Sequence, residues 1–406
     1  MNAKRIAIIV TGLMLLGILP ALADKDGPHG FIYGTVETDS DRTYTGILRW
    51  GTEETFWGDL FNSSKEDLPY LEEHAKEKRR RNRIKVFGIT VGYRWEDYSS
   101  TRMFIARFGD IDEIEVRRGS KIKVTMKDGT TYAMEGGSND IGATITVWDD
   151  ALGEVKLDWD NIEHIDFRST PADVDPPGYR LYGEVQTDDG NFEGYVQWDI
   201  QECLSIDKLD GDTDDGDMSI EMGKIKAIEK RNRRGSTVEL KDGREFVLED
   251  TNDVDSSLRG IWVDDPRYGR VKVSWEAFER VEFRQLGSSG PSYDDYEPAK
   301  MLTGTVTDYD GASHSGRLIF DLDEEYGWEL LNGSADDVEY NIPFAMIRSI
   351  EPQRDDESKL VLKNGETLVL GDGQDVSESN DGVVVLRDND RETYLAWDEI
   401  KKVEFD

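Results

Sequence analysis

Three stretches of this chain end alike: "WDNIEHIDF" from Trp159, "WEAFERVEF" from Trp275 and "WDEIKKVEF" from Trp397. In each, apolar residues follow the Trp at three and six positions, and a Phe stands at eight. A spacing of three that gives way to a spacing of two fits one short turn feeding a strand whose alternate residues face inward. Saying this three times restricts the chain to folds built from repeated units.

Reading back from each copy lengthens the repeat. "GSKIKVTMKDGTTYAME", "GSTVELKDGREFVLED" and "SKLVLKNGETLVLG" align, each around a Lys-Asp-Gly or Lys-Asn-Gly turn. Asp-Gly and Asn-Gly between alternating apolar residues predict hairpins, because these residues tolerate positive φ. Earlier still, "YGTVETDSDRTYTGILRW", "YGEVQTDDGNFEGYVQW" and "TGTVTDYDGASHSGRLIF" align. Gly34, Gly183 and Gly304 correspond, as do Gly46, Gly194 and Gly316, and Trp50, Trp198 and Phe320 hold one position.

The expected domains are therefore 30–169, 179–285 and 300–406, with "STPADVDPPG" and "LGSSGPSYDDYEP" as linkers. Units this long exceed solenoid and propeller-blade periods. A fainter copy of the closing motif lies midway through each: "FGDIDEIEV" at Phe108, "MGKIKAIEK" at Met222 and "FAMIRSIEP" at Phe344. Six half-units follow, and the fold class expected is all-β. The half-units resemble SH3-like or Sm-like small barrels, which implies four or five strands with a short 3₁₀ turn before the last. A β-sandwich per domain is the alternative. A fold of this kind hosts many functions, so it assigns none.

The first domain also carries an insertion, about residues 63–101. "KEDLPYLEEHAKEKRRRNRIK" predicts one inserted α-helix, with Asp67 as N-cap, Pro69 in the first turn, and acids early with bases late. Its Arg79, Arg80, Arg81 and Arg83 form a basic island, either docking on an acidic face of the chain itself or meeting an anionic partner.

The chain opens with "MNAKR", then "IAIIVTGLMLLGILP", then "ALA". This pattern predicts a secretory signal peptide over 1–23, cleaved after Ala23, and a periplasmic or extracellular protein. No later segment is long and apolar enough to suggest a membrane span. The formal net charge of -37 repels phosphates, so nucleic acid is a poor partner. Ten Trp and sixteen Tyr can fill several cores, which argues against wholesale disorder. The one cysteine, Cys203, has no internal partner for a disulfide and reads as a buried strand residue.

Candidate chemistry is sparse. "WGTEETFWGDLFN" offers Trp57, Glu53, Glu54 and Asp59 as ligand-binding residues, since Trp with carboxylates lines carbohydrate clefts. Glu54, however, recurs as Glu202 and Glu324, which suggests structure. "DGDTDDGDMSIE" places Asp210, Asp212, Asp214 and Glu221 at first, third, fifth and twelfth EF-hand positions, so weak calcium is the one cofactor to weigh. Asp215 stands where that loop needs glycine. Asp160, Glu276 and Asp398, each just after a closing Trp, are expected as caps. The acids at the seventh offset (Glu115, Glu229, Glu351, Asp166, Glu282, Glu404) alternate with apolar residues and are expected to face solvent. His29, His74, His164 and His314 show no ligand spacing, and no hydrolase, P-loop or dinucleotide fingerprint occurs.

What repeats is glycine, aromatic and aliphatic: fold residues, not reactive ones. The reading is an exported, non-enzymatic binding or scaffold protein with an unknown protein or glycan ligand. The alternatives are a carbohydrate-active or glycan-binding protein using Trp57 and its neighbours, and an acidic calcium-binding protein.

Overall fold

Alternation of apolar and polar residues in runs such as "YGTVET" produces strands with one buried face, and Asp-Gly or Asn-Gly reverses them. The computed structural model describes residues 27–65, 68–74, 83–86, 89–93, 102–117, 121–136, 140–354, 356–387 and 391–406. The chain is nearly all β, its strands paired antiparallel. The expected signal peptide and Arg79, Arg80 and Arg81 lie outside the described residues. Among the described residues no helix is long and apolar enough to cross a membrane.

Strand Tyr33–Thr38 lies between Thr43–Trp50 and Ile162–Phe167. Strand Tyr182–Thr187 lies between Gly190–Gln197 and Phe278–Arg284, and Thr303–Asp308 between Ser313–Phe320 and Ile400–Phe405. Gly34 faces Gly46, Gly183 faces Gly194, and Gly304 faces Gly316. These glycines are needed for close approach. A Cβ on Gly46 would lie 1.9 Å from the Trp148 carbonyl oxygen, and one on Gly316 would lie 2.2 Å from that of Leu386.

The closing motif forms the expected turn. Trp159–Asn161 and Trp397–Glu399 are single 3₁₀ turns that run directly into strands Ile162–Phe167 and Ile400–Phe405. Ile162, Ile165 and Phe167 point inward, as do Ile400, Val403 and Phe405. The midway stretches make the same turn at Phe108–Asp110, Met222–Lys224 and Phe344–Met346.

The expected barrels do not close. A ten-stranded sheet holds the first region and ends on Gly153–Leu157 and Arg102–Arg107, which do not pair with each other. Exposed Glu154 and Lys156 blunt the first of these edges. The corresponding strand of the middle region, Gly269–Val273, pairs instead with Val338–Pro343, which fuses the rest of the chain into one twenty-stranded sheet. One apolar core accordingly runs from Leu181 to Phe405.

The insertion is α-helical over residues 69–74, as expected, with 75–82 outside the described residues; Arg83–Val86, expected to end the helix, instead pairs with Ile89–Tyr93 as a two-stranded ribbon. The run "RIKVFGITV" is rich in β-branched residues, which favour the pleated chain over a continued helix. The segment read as a second linker is docked. Tyr293 and Tyr296 are buried, the Tyr293 hydroxyl donates to the Ile111 carbonyl at 2.8 Å, and Tyr296 lies over Gly109, where a Cβ would meet its ring at 2.4 Å.

Candidate functional site

After Trp50, Trp198 and Phe320 the chain makes a tight reversal that brings Glu54, Glu202 and Glu324 back beside the aromatic. The reversal requires left-handed backbone at its first residue: Gly51 at φ 60°, Asp199 at 46° and Asp321 at 47°. Ile200 and Leu322 follow at 65° and 67°, a costly conformation for side chains of that size. A carboxylate a few residues on holds the bend. Asp59 accepts the Thr55 and Phe56 N–H groups, Asp207 those of Cys203 and Leu204, and Glu329 those of Glu325 and Tyr326, all at 2.6–2.9 Å.

A second acid joins each bend from about 50 to 90 residues downstream. Asp140 accepts the Asn62 N–H at 2.5 Å, Asp253 that of Asp210 at 2.7 Å, and Asp375 that of Asn332 at 2.6 Å. The Trp50 indole donates to the Asp140 carbonyl and the Trp198 indole to that of Asp253, each at 2.8 Å. Buried carboxylate groups result: Glu54 with Asp140; Asp199, Glu202 and Asp253; and Asp321, Asp323, Glu324 and Asp375.

Crowding acids away from water disfavours their charged forms. Burial, and then Asp253 and Asp199, push Glu202 up to about 9. Burial pushes Asp140 and Asp253 up to about 6. Burial, with Asp323 adding to it, lifts Asp375 to about 7. Glu54, Asp321 and Glu324 are raised well above the carboxylate range, chiefly by burial.

Cations from distant parts of the chain enter these groups. Lys65 Nζ lies 2.9 Å from both Asp323 and Glu329. Arg102 reaches Asp323 at 3.2 Å and Asp321 at 3.4 Å, and also pairs with Asp381. Arg259 holds Asp199 at 2.6 Å. Between the first and middle regions, Arg49 pairs with Asp207 at 2.7 Å, while Arg180 and Arg270 reach Asp59 at 3.4 and 3.2 Å. This junction is nearly symmetric. Arg49 donates to the Gln201 carbonyl, and Gln197, at the corresponding place, donates to that of Glu53. Thr55 and Cys203, also corresponding, meet at 3.6 Å.

The residues singled out from the sequence fall as follows. Trp57 is fully buried, its indole donating to Thr170 Oγ1 at 3.3 Å, so it presents no ring face to solvent. Glu54 and Asp59 are buried beside it, while Glu53 keeps partial exposure. Asp210, Asp212, Asp214 and Glu221 lie along one hairpin, Lys208–Thr213 against Gly216–Glu221. Glu221 pairs with Lys208 and Lys224 at the far end from Asp214, about 20 Å away at strand rise, so the four do not converge on one ion. Arg83 begins a strand of the inserted ribbon. Asp160 and Asp398 sit in the first turns of their 3₁₀ segments, and it is Glu399 that accepts the Ala396 N–H. Cys203 is buried and its thiol is pushed up by burial.

The recurrence of Glu54, Glu202 and Glu324 is plain in the sequence, but their partners Asp140, Asp253 and Asp375 are not among the candidates it suggested. A signal for them exists: Glu202 to Asp253 and Glu324 to Asp375 both span 51 residues, each partner precedes Ile or Val, and only the first region, with its insertion, departs, at 86.

No family model matches the chain, and no curated protein matches it. Among solved structures, a streptogramin B lyase structure aligns at 11% identity over 73% of this chain and 94% of that one, with a TM-score of 0.13. A similarity that low carries no argument about fold or activity.

Proposed function

We propose that this chain is an exported, non-enzymatic binding or scaffold protein, periplasmic or extracellular after cleavage near Ala23. In this reading it is built of three repeat units, 30–169, 179–285 and 300–406. Each unit consists of two open, curled half-units that resemble SH3-like sheets. One observation supports it above the rest: the buried charges with sequence-distant partners join one part of the chain to another. Lys65 and Arg102 reach Asp321, Asp323 and Asp381, and Arg180 and Arg270 reach Asp59. Such pairs fix geometry more than they add stability. With a net charge of -37 the surface suits basic or neutral partners.

The test is the purified chain on glycan and basic-peptide arrays, with turnover of the same glycans assayed in parallel. Binding without turnover supports the proposal. Turnover that disappears in Glu54→Gln would replace it with a carbohydrate-active enzyme.

A further inference from the structure

Along the outer face of the sheets, the last strand of each region lies beside the strand that follows its midway turn. Arg280 stands opposite Glu229 and binds it at 2.7 Å. Lys402 lies beside Glu351 and Glu404, at 3.4 and 2.9 Å. The residue at the same place in the first region is His164, opposite Glu115. A permanent cation has been replaced by an imidazole.

A second difference accompanies it. Glu282 lies opposite Ala227 and Glu404 opposite Ser349, but Asp166 lies opposite Glu113. The first region thus loses a fixed positive charge and gains a carboxylate on the same patch. His164 Nε2 lies 3.5 Å from Glu113 Oε2 and 3.2 Å from Asp166 Oδ1. All three candidate ligand atoms lie within 4.8 Å of one another. Ligands about 2.0–2.2 Å from a tetrahedral metal are roughly 3.4 Å apart, which both distances match. Thr125 Oγ1 donates to Glu113 Oε1 at 2.9 Å and fixes that carboxylate, leaving Oε2 toward the imidazole. Lys123, on the adjoining strand, is engaged by Glu115 at 2.8 Å.

We infer that His164, Glu113 and Asp166 form a surface site for a divalent transition metal of the zinc class, with solvent as fourth ligand. One nitrogen and two carboxylate oxygens suit zinc or cobalt better than calcium, which takes six to eight oxygens. This site does not depend on the scaffold reading.

Zinc titrated into the purified chain by calorimetry, beside His164→Arg and Glu113→Ala, tests it. Each variant installs the residue type found at the corresponding place in the middle region, Arg280 or Ala227, so unchanged thermal unfolding is expected of both. One zinc equivalent should vanish in His164→Arg, and that binding step should weaken at least tenfold in Glu113→Ala. Cobalt(II) should give the visible absorption of a four-coordinate site in the chain and not in His164→Arg. His74→Gln, which removes the histidine beside Glu73 and Glu392, should keep both signals. No uptake by the chain overturns the site. Equal uptake by His164→Arg also overturns it, because it means an adventitious ion only.

Discussion

Lys65 Nζ stands 2.9 Å from Asp323 Oδ2, although 258 residues separate them in the chain. Lys65 closes the strand before the insertion and Arg102 opens the strand after it, and both end on Asp323. The two exits of the insertion are thus pinned to the third region. Its described residues 68–74 reinforce this: Leu68 and Leu71 pack on Ile319 and Val384, and His74 stacks on Tyr394.

Arg102→Met removes the guanidinium from Asp321, Asp323 and Asp381 while keeping much of the side-chain volume. Breaking a buried pair from one side leaves unbalanced charge, so stability should fall by about 3 kcal/mol. Urea unfolding at pH 7 measures this. The loss should shrink at pH 5, where more of the cluster is protonated.

Stability should rise as the pH is lowered from 8 to 5. Folded Asp375 titrates at about 7, and Asp140 and Asp253 at about 6. The same groups titrate near ~3.9 when unfolded. A raised folded value contributes stability fully below the unfolded value and loses it as pH climbs from there through the folded one, here between about 4 and 7. Urea midpoints across this range should fall with pH, and Asp375→Asn should flatten the slope.

Gly46→Ala would drive a methyl to 1.9 Å from the Trp148 carbonyl and force two paired strands apart. A loss of about 3 kcal/mol is expected, the scale of overpacking in a rigid sheet. A thermal melt of the variant decides it, with Gly129→Ala as the control that separates φ strain from crowding: Gly129 has positive φ but open space around it.

Cys203 should resist alkylation in the folded chain. Its thiol is buried against Thr55, and burial raises it away from the reactive thiolate. Labelling by iodoacetamide at pH 8 should be slower than in urea by a factor of ~10³, because it must await local opening.

Much of the local structure was legible in the sequence. Paired glycines, Asp-Gly turns and the three-then-two spacing of Trp397, Ile400, Val403 and Phe405 each describe contacts made within a few residues or across one hairpin. In the insertion, Pro69 and the early acids mark a helix that is present over residues 69–74, but the β-branched run after Arg83 belongs to a ribbon.

By itself, the sequence determined that this chain is built of antiparallel strands, where they turn, and which of their faces are apolar. The tertiary structure alone decided what those faces meet. It buried Trp57, brought Asp140 to Glu54, carried Lys65 and Arg102 to Asp323, and set His164 between Glu113 and Asp166. Periodicity reports the direction in which a side chain points. Which strands then lie side by side depends on how whole sheets dock, and that is settled by area and charge summed over the molecule, not by any local spacing.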